Sequence, residues 1–212
     1  MSLIDDKWRI LFDKYRIERE IEKHGRFYIT ADQIREVKEP RLMTKFDTRE
    51  SLPRVFGKKI SILPVSRGGY VLGEFDLYQD FPEIPSDIKR VTSAKIPDYF
   101  ESLDLHDIRS EASAINVMSI TGILDDFLGE DRMVSGRMGS GNFEFYVSDY
   151  QKSEPIEKKP LIQVQNSQVE IDGGFENENV FTLIEGKNVV HSNFLIRQLY
   201  YPARLWAEKI HK

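Results

Sequence analysis

The stretch Gln168-Val169-Glu170-Ile171-Asp172, followed after a turn by Val180-Phe181-Thr182-Leu183-Ile184-Glu185-Gly186-Lys187, decides how this chain is read. Residues 168–172 alternate polar and apolar, the pattern of a strand with two distinct faces. Val180–Ile184 is a short apolar run of strand formers, and Asn177-Glu178-Asn179 between the two runs supplies a turn. An antiparallel hairpin turning about Glu178–Asn179 pairs positions whose numbers sum to 357. Asp172 then faces Glu185, and Glu170 faces Lys187, all four on one side of the sheet. Opposed Cβ atoms lie roughly 4.5–5.5 Å apart, so the two carboxylates repel unless a cation lies between them. Two plainer readings stand beside this one: Glu170 and Lys187 as an exposed cross-strand ion pair, and Asp172 before Gly173-Gly174 as a turn initiator.

Outward from the hairpin, the N-terminal side predicts an amphipathic helix over 4–23, with Trp8, Leu11, Phe12, Tyr15 and Ile21 on its stripe and Gly25 at its end. A short helix over Thr30–Val37 follows, with Thr30 and Gln33 at capping-box spacing and Pro40 as its stop. Lys59–Val65 and Tyr70–Tyr78 read as a hairpin about Ser66-Arg67-Gly68-Gly69. Residues 80–108, with three prolines, read as a boundary or a long irregular connection. A helix is expected over Ser110–Leu128, stopped near Gly129. Strands near Arg132–Arg137 and Phe143–Ser148 then form a second hairpin through Gly139-Ser140-Gly141. Leu195, Leu199, Ala203, Trp206 and Ile210 give a last helix over 194–210, kinked or started by Pro202. The sum is an α/β (α+β) chain with an N-terminal helical and hairpin region over 1–105 and a second region over 106–212.

Composition removes several functions. The 212 residues carry no cysteine, which excludes disulfides, cysteine-ligated zinc, iron–sulfur clusters and a thiol nucleophile. No run approaches the roughly 18 apolar residues of a membrane helix, and the start lacks a signal-peptide layout. A cytoplasmic protein with no membrane partner is expected. Net charge is -5, but residues 1–60 hold 15 Lys and Arg against 11 Asp and Glu. A basic front, including Arg35, Lys38, Arg41 and Lys45, suits contact with phosphates. The four histidines, His24, His106, His191 and His211, have no mutual ligand spacing.

Asp172, the strand Val180–Ile184, and Glu185-Gly186-Lys187 at its end resemble the PD-(D/E)XK nucleases, and within them the type II restriction endonucleases. The downstream Ile196-Arg197-Gln198-Leu199-Tyr200-Tyr201-Pro202, and Pro40–Asp47 followed by Ile60–Pro64, look like segments of such enzymes. The resemblance implies a restriction-endonuclease-like central mixed sheet flanked by helices. It implies a DNA endonuclease dependent on Mg²⁺, with Mn²⁺ as a substitute, acting in restriction-modification. By the same resemblance Asp172, Glu185 and the Gly186 carbonyl are the metal ligands, and Lys187 activates water and offsets phosphate charge. Gln198 holds the lysine or the substrate, and Glu170 and Glu111 give support, with Glu176 a weaker candidate. Hydrolysis of a phosphodiester needs these types: Mg²⁺ takes hard oxygen ligands and keeps several waters, so one or two carboxylates suffice.

The implied core continues past the last helix into a further strand, so the resemblance also predicts a C-terminally shortened chain. Its exposed sheet edge would pair with another copy as a homodimer or other self-association. Double-stranded DNA is the expected partner. The alternatives are an inactive or truncated DNA-binding relative, and a nonspecific repair nuclease.

Overall fold

The computed structural model describes residues 3–83, 86, 96, 99, 101, 107–130, 134–135, 139–150, 152 and 154–210. Most of the connection expected over 80–108, and Arg137 of the expected second hairpin, lie outside them. Among the described residues no helix is long and apolar enough to cross a membrane. The chain divides into two compact units that interleave in sequence, where the sequence suggested consecutive regions meeting at 105/106. One comprises residues 1–80, 140–168 and 192–197; the other comprises 81–139, 169–191 and 198–212.

The first unit begins with α1 (Leu3–Tyr15) and α2 (Ile17–His24). The expected single helix over 4–23 is broken because Arg16 takes a left-handed backbone at φ 51°. Gly25, at φ 74°, ends α2 as its position after a helix favours. The short strand β1 (Arg26–Thr30) follows, unforeseen because five residues between two helices carry little periodicity. Thr30 then caps α3 (Ala31–Arg35) in the expected capping box: its hydroxyl accepts from the Gln33 N–H at 3.2 Å, and the Gln33 side chain accepts from the Thr30 N–H at 2.8 Å. Pro40 opens α4 (Pro40–Met43) instead of closing α3, since a proline at the first helical turn gives up no hydrogen bond.

The hairpin β2 (Ser61–Ser66) and β3 (Gly69–Gly73) forms as expected, turning through Gly68 at φ 84°. The first sheet runs β1-β3-β2-β7-β6, with β6 at Gly139–Tyr146 and β7 at Leu161–Val169. Its β2–β7 pairing is parallel and the β1–β3 and β2–β3 pairings antiparallel, so the sheet is mixed. A two-stranded pair, β4 (Tyr78–Asp80) with β10 (Asn193–Leu195), completes the unit's strands. The core gathers on Trp8, which is fully buried. Its ring meets Phe56 edge-on at 4.9 Å between centroids, and its Nε1 donates to the Met43 carbonyl at 2.9 Å.

In the second unit, the helix expected over 110–128 is two helices, α5 (Glu111–Ile120) and α6 (Ile123–Leu128). Gly122, at φ 73°, turns the chain between them, and Gly129 stops α6. The second sheet runs β5-β8-β9, all antiparallel: β5 is Val134–Ser135, β8 is Gly173–Glu176 and β9 is Phe181–Ile184. β5 pairs with β8 while β6 joins the other sheet, so the hairpin expected around Gly139–Gly141 does not form. The Asp172…Lys187 stretch therefore edges this three-stranded sheet and takes no part in the five-stranded mixed one. Helix α7 (Arg197–Ala207) starts later and ends earlier than the expected 194–210, with Pro202 inside it. It packs by Trp206 on Phe181 of β9, 5.0 Å between ring centroids.

Candidate active site

The expected strand over 168–172 is divided. β7 stops at Val169, and residues 170–172 lead into β8. Burial nevertheless alternates through this turn: Val169, Ile171 and Gly173 are buried, while Glu170 and Asp172 are exposed. The observed register pairs Gly173 with Ile184 and Glu176 with Phe181, so paired numbers sum to 357. Asp172 and Glu185 are the next positions at the open end of the ladder. At the closed end Asn177 accepts the N–H groups of Asn179 and Val180, and its amide donates to Glu130 at 2.8 Å. The turn is thus tied to Glu130, two residues past the end of α6.

Glu111 reaches the same end from a different element. Ser110 caps α5 by accepting the Ser113 N–H at 3.1 Å, which makes Glu111 the first helical residue. Ile115 of α5 and Leu124 of α6 are buried against Phe175 of β8, with Ile184 of β9 packed on the cluster. That packing sets the start of α5 over the hairpin's open end. A Cβ on Gly186 would lie 3.0 Å from the Glu111 Cβ, close enough that Glu111 must give by a few tenths of an ångström, and 3.6 Å from Asp172 Oδ2, an ordinary contact. Gly186→Ala is expected to force Glu111 away from the cluster. A crystal structure of the variant checks this: a Glu111 side chain that stays in place, still accepting the Asn188 N–H, would overturn it.

Three carboxylates meet here, each held by one oxygen. Asp172 Oδ2 accepts the Gly186 N–H at 2.8 Å, and Glu111 Oε1 accepts the Asn188 N–H at 3.1 Å. Glu185 Oε1 accepts from Lys187 Nζ at 2.5 Å and from Gln198 Nε2 at 2.6 Å. Lys187 Nζ also donates to the Gly186 carbonyl at 3.1 Å. Among the described residues no hydrogen bond engages the second oxygen of any of the three. Burial pushes the Glu185 carboxyl above its ordinary range; Lys187 opposes that shift, and the charges of Asp172 and Glu111 add to it. A cation among these groups would relieve the repulsion.

Among the described residues no group of three or more His, Cys, Asp and Glu side chains is arranged to hold a metal by itself. The donors that suit Mg²⁺ are fewer: the Asp172 and Glu185 carboxylates and the Gly186 carbonyl, all hard oxygens. Water completes such a shell. Gln198 sits in the first turn of α7, and among the described residues its Oε1 is buried without a partner.

The structure thus brings Glu111, Asp172, Glu185, Gly186, Lys187 and Gln198 together. Glu170 is exposed in the connection before β8, outside the paired ladder, so it is not the cross-strand partner of Lys187; that ion pair is made with Glu185. Glu176 lies at the closed end of the hairpin, paired with Phe181. The Asn188 N–H that fixes Glu111 was not legible beforehand, because a backbone donor leaves no residue signature.

The chain belongs to the family described as a domain of unknown function (DUF6997), which matches residues 73–212 and so contains every residue of this cluster. A second domain of unknown function (DUF6996) matches residues 5–72. No curated protein and no solved structure matches the chain.

Proposed function

We propose that this protein is a divalent-metal-dependent endonuclease that hydrolyses phosphodiester bonds of double-stranded DNA, of restriction-enzyme type and PD-(D/E)XK kind. The observation that carries this reading is the meeting of Asp172, Glu185 and Lys187 at one end of a hairpin, with Glu111 and Gln198 brought in from two helices. Asp172, Glu185 and the Gly186 carbonyl would hold Mg²⁺, which when bound supplies Lewis-acid charge neutralisation at the phosphate. Lys187, reaching both Glu185 and the Gly186 carbonyl, is positioned to orient an attacking water and to offset the charge that develops on phosphate. Gln198 donates to Oε1 of Glu185 at 2.6 Å and so fixes that carboxylate. Glu111 adds negative charge that draws the cation in, and it fixes the chain just after Lys187 through Asn188.

Unmethylated plasmid incubated with Mg²⁺ tests the reading. Discrete bands identify a restriction enzyme, and a smear identifies a nuclease without sequence preference. Intact DNA with every metal tried overturns the activity and leaves an inactive DNA-binding relative. A homodimer belongs to the same reading, supported by β9 standing at the edge of its sheet with β8 on one side. Sedimentation of the purified chain is expected to give twice the monomer mass; a monomer that cuts both strands at full rate removes this part.

A further inference from the structure

We propose that residues 5–72 are an interaction surface for the strands of 140–168 and 192–197, so that the two family segments make one domain across their boundary at 72/73 and the first does not stand alone. The partner this surface takes is an extended chain that adds a strand beside β2 and hydrogen-bonds residues 47–50. The surface does not depend on the endonuclease reading. Residues 5–72 do carry a core, a cluster that includes Trp8, Phe56 and Leu72 and whose buried members all fall within 8–72. That core covers one face of the β2–β3 hairpin. Ile62 and its cross-strand partner Leu72 belong to it. Side chains alternate between faces along a strand, so Ser61, Leu63 and Val71 lie on the opposite face. Those three are buried as well, at 3%, 1% and 0% exposure.

Cover on that second face comes from beyond residue 72. The Phe75 ring occupies the place that a side chain at Gly73 would take, since a Cβ there would lie 2.3 Å from Phe75 Cζ. Ser61 Oγ donates to the Phe75 carbonyl at 3.2 Å. The segment around Phe75 is itself held by later chain: the Asp76 N–H donates to the Ser148 carbonyl at 2.9 Å, and the Tyr150 N–H to the Glu74 carbonyl at 2.8 Å. β7 brings the buried Ile162 and Val164 beside β2, with Ser66 opposite Gln165 in parallel register. At 192–197 the Leu195 N–H donates to the Asp47 carbonyl at 3.1 Å. Asn193, fully buried, accepts the Arg49 N–H at 2.8 Å and donates to Glu50. Without these partners residues 5–72 would bare Leu63, Val71 and the open edge of β2, an apolar face and a strand edge that soluble chains keep covered.

The test uses the full chain with a protease recognition sequence inserted after Glu83, an exposed position outside helix and strand. After cleavage, the piece 1–83 is expected to remain bound to the rest, the two eluting together at the mass of the uncut chain and melting in one transition. Elution of 1–83 by itself, with a melting transition of its own, would overturn the proposal and make 5–72 a self-standing domain. Hydrogen exchange on the uncut chain is the second readout. Val164→Ala removes two buried carbons from β7 and should speed amide exchange in β2 and β3 by the same factor as in β7, about 10-fold or more. Exchange that quickens in β7 and stays at the parent's rate in β2 and β3 would overturn the proposal.

Discussion

Lys187→Ala is expected to lower the single-turnover rate of DNA cleavage by about 10³-fold, within the range that a proton-transfer or charge-stabilising group supplies. Duplex affinity measured in Ca²⁺ should change less than about 3-fold, because one cation is a small share of an interface that neutralises many phosphates. The two effects separate because Lys187 points inward. Its ammonium lies against Glu185 and the Gly186 carbonyl, and three quarters of its side chain is covered. Removing it also removes the ammonium that opposes the upward shift of the Glu185 carboxyl. The variant's residual activity should therefore fall off at a higher pH than the parent's as the solution is acidified. Near-normal cleavage by Lys187→Ala would exclude Lys187 from the chemistry.

The hairpin was legible because its information is local. Alternation through residues 168–172, an Asn-rich turn and an apolar run fixed a register that the paired strands reproduce, Gly173 with Ile184. The capping residues Thr30 and Ser110 were legible for the same reason, since a hydroxyl three residues before the N–H that donates to it leaves a spacing in the sequence. What failed was longer in range. Nothing in residues 132–148 says that β5 pairs with β8 while β6 pairs elsewhere, because strand partners are chosen by tertiary packing. The break of the first helix rests on one unfavourable backbone conformation at Arg16, a residue type that does not announce it. Glu111 shows the same limit from the other direction. Its place on α5 was readable, but its arrival at the hairpin depends on Ile115 and Leu124 packing against Phe175.

Asp172→Asn should leave the fold intact and remove the metal. The asparagine side-chain oxygen can still accept the Gly186 N–H that Asp172 Oδ2 now takes at 2.8 Å, so the open end of the hairpin keeps its tie. The lost charge has two consequences. The first concerns pH. The Glu185 carboxyl is raised chiefly by burial, against Lys187 and with help from Asp172 and Glu111. An acid raised on folding holds its proton more tightly in the native state. Its stabilising effect is full below the unfolded value of 4.5 and is lost as pH climbs through the native one. Without Asp172 the native value drops, so the variant should become more stable than the parent as pH rises above that range, with the difference level by neutrality. The second concerns Mg²⁺. At ten times its dissociation constant a ligand of the native state adds about 1.4 kcal/mol, worth about 3–5 °C in melting temperature for a chain of this size. The parent should show that rise and the asparagine variant less than about 1 °C, while its cleavage falls by about 10³-fold or more, as loss of metal charge stabilisation demands. Calorimetry with and without Mg²⁺ across pH 4 to 8 checks both, and an equal Mg²⁺ rise in the two proteins would show that Asp172 is no ligand.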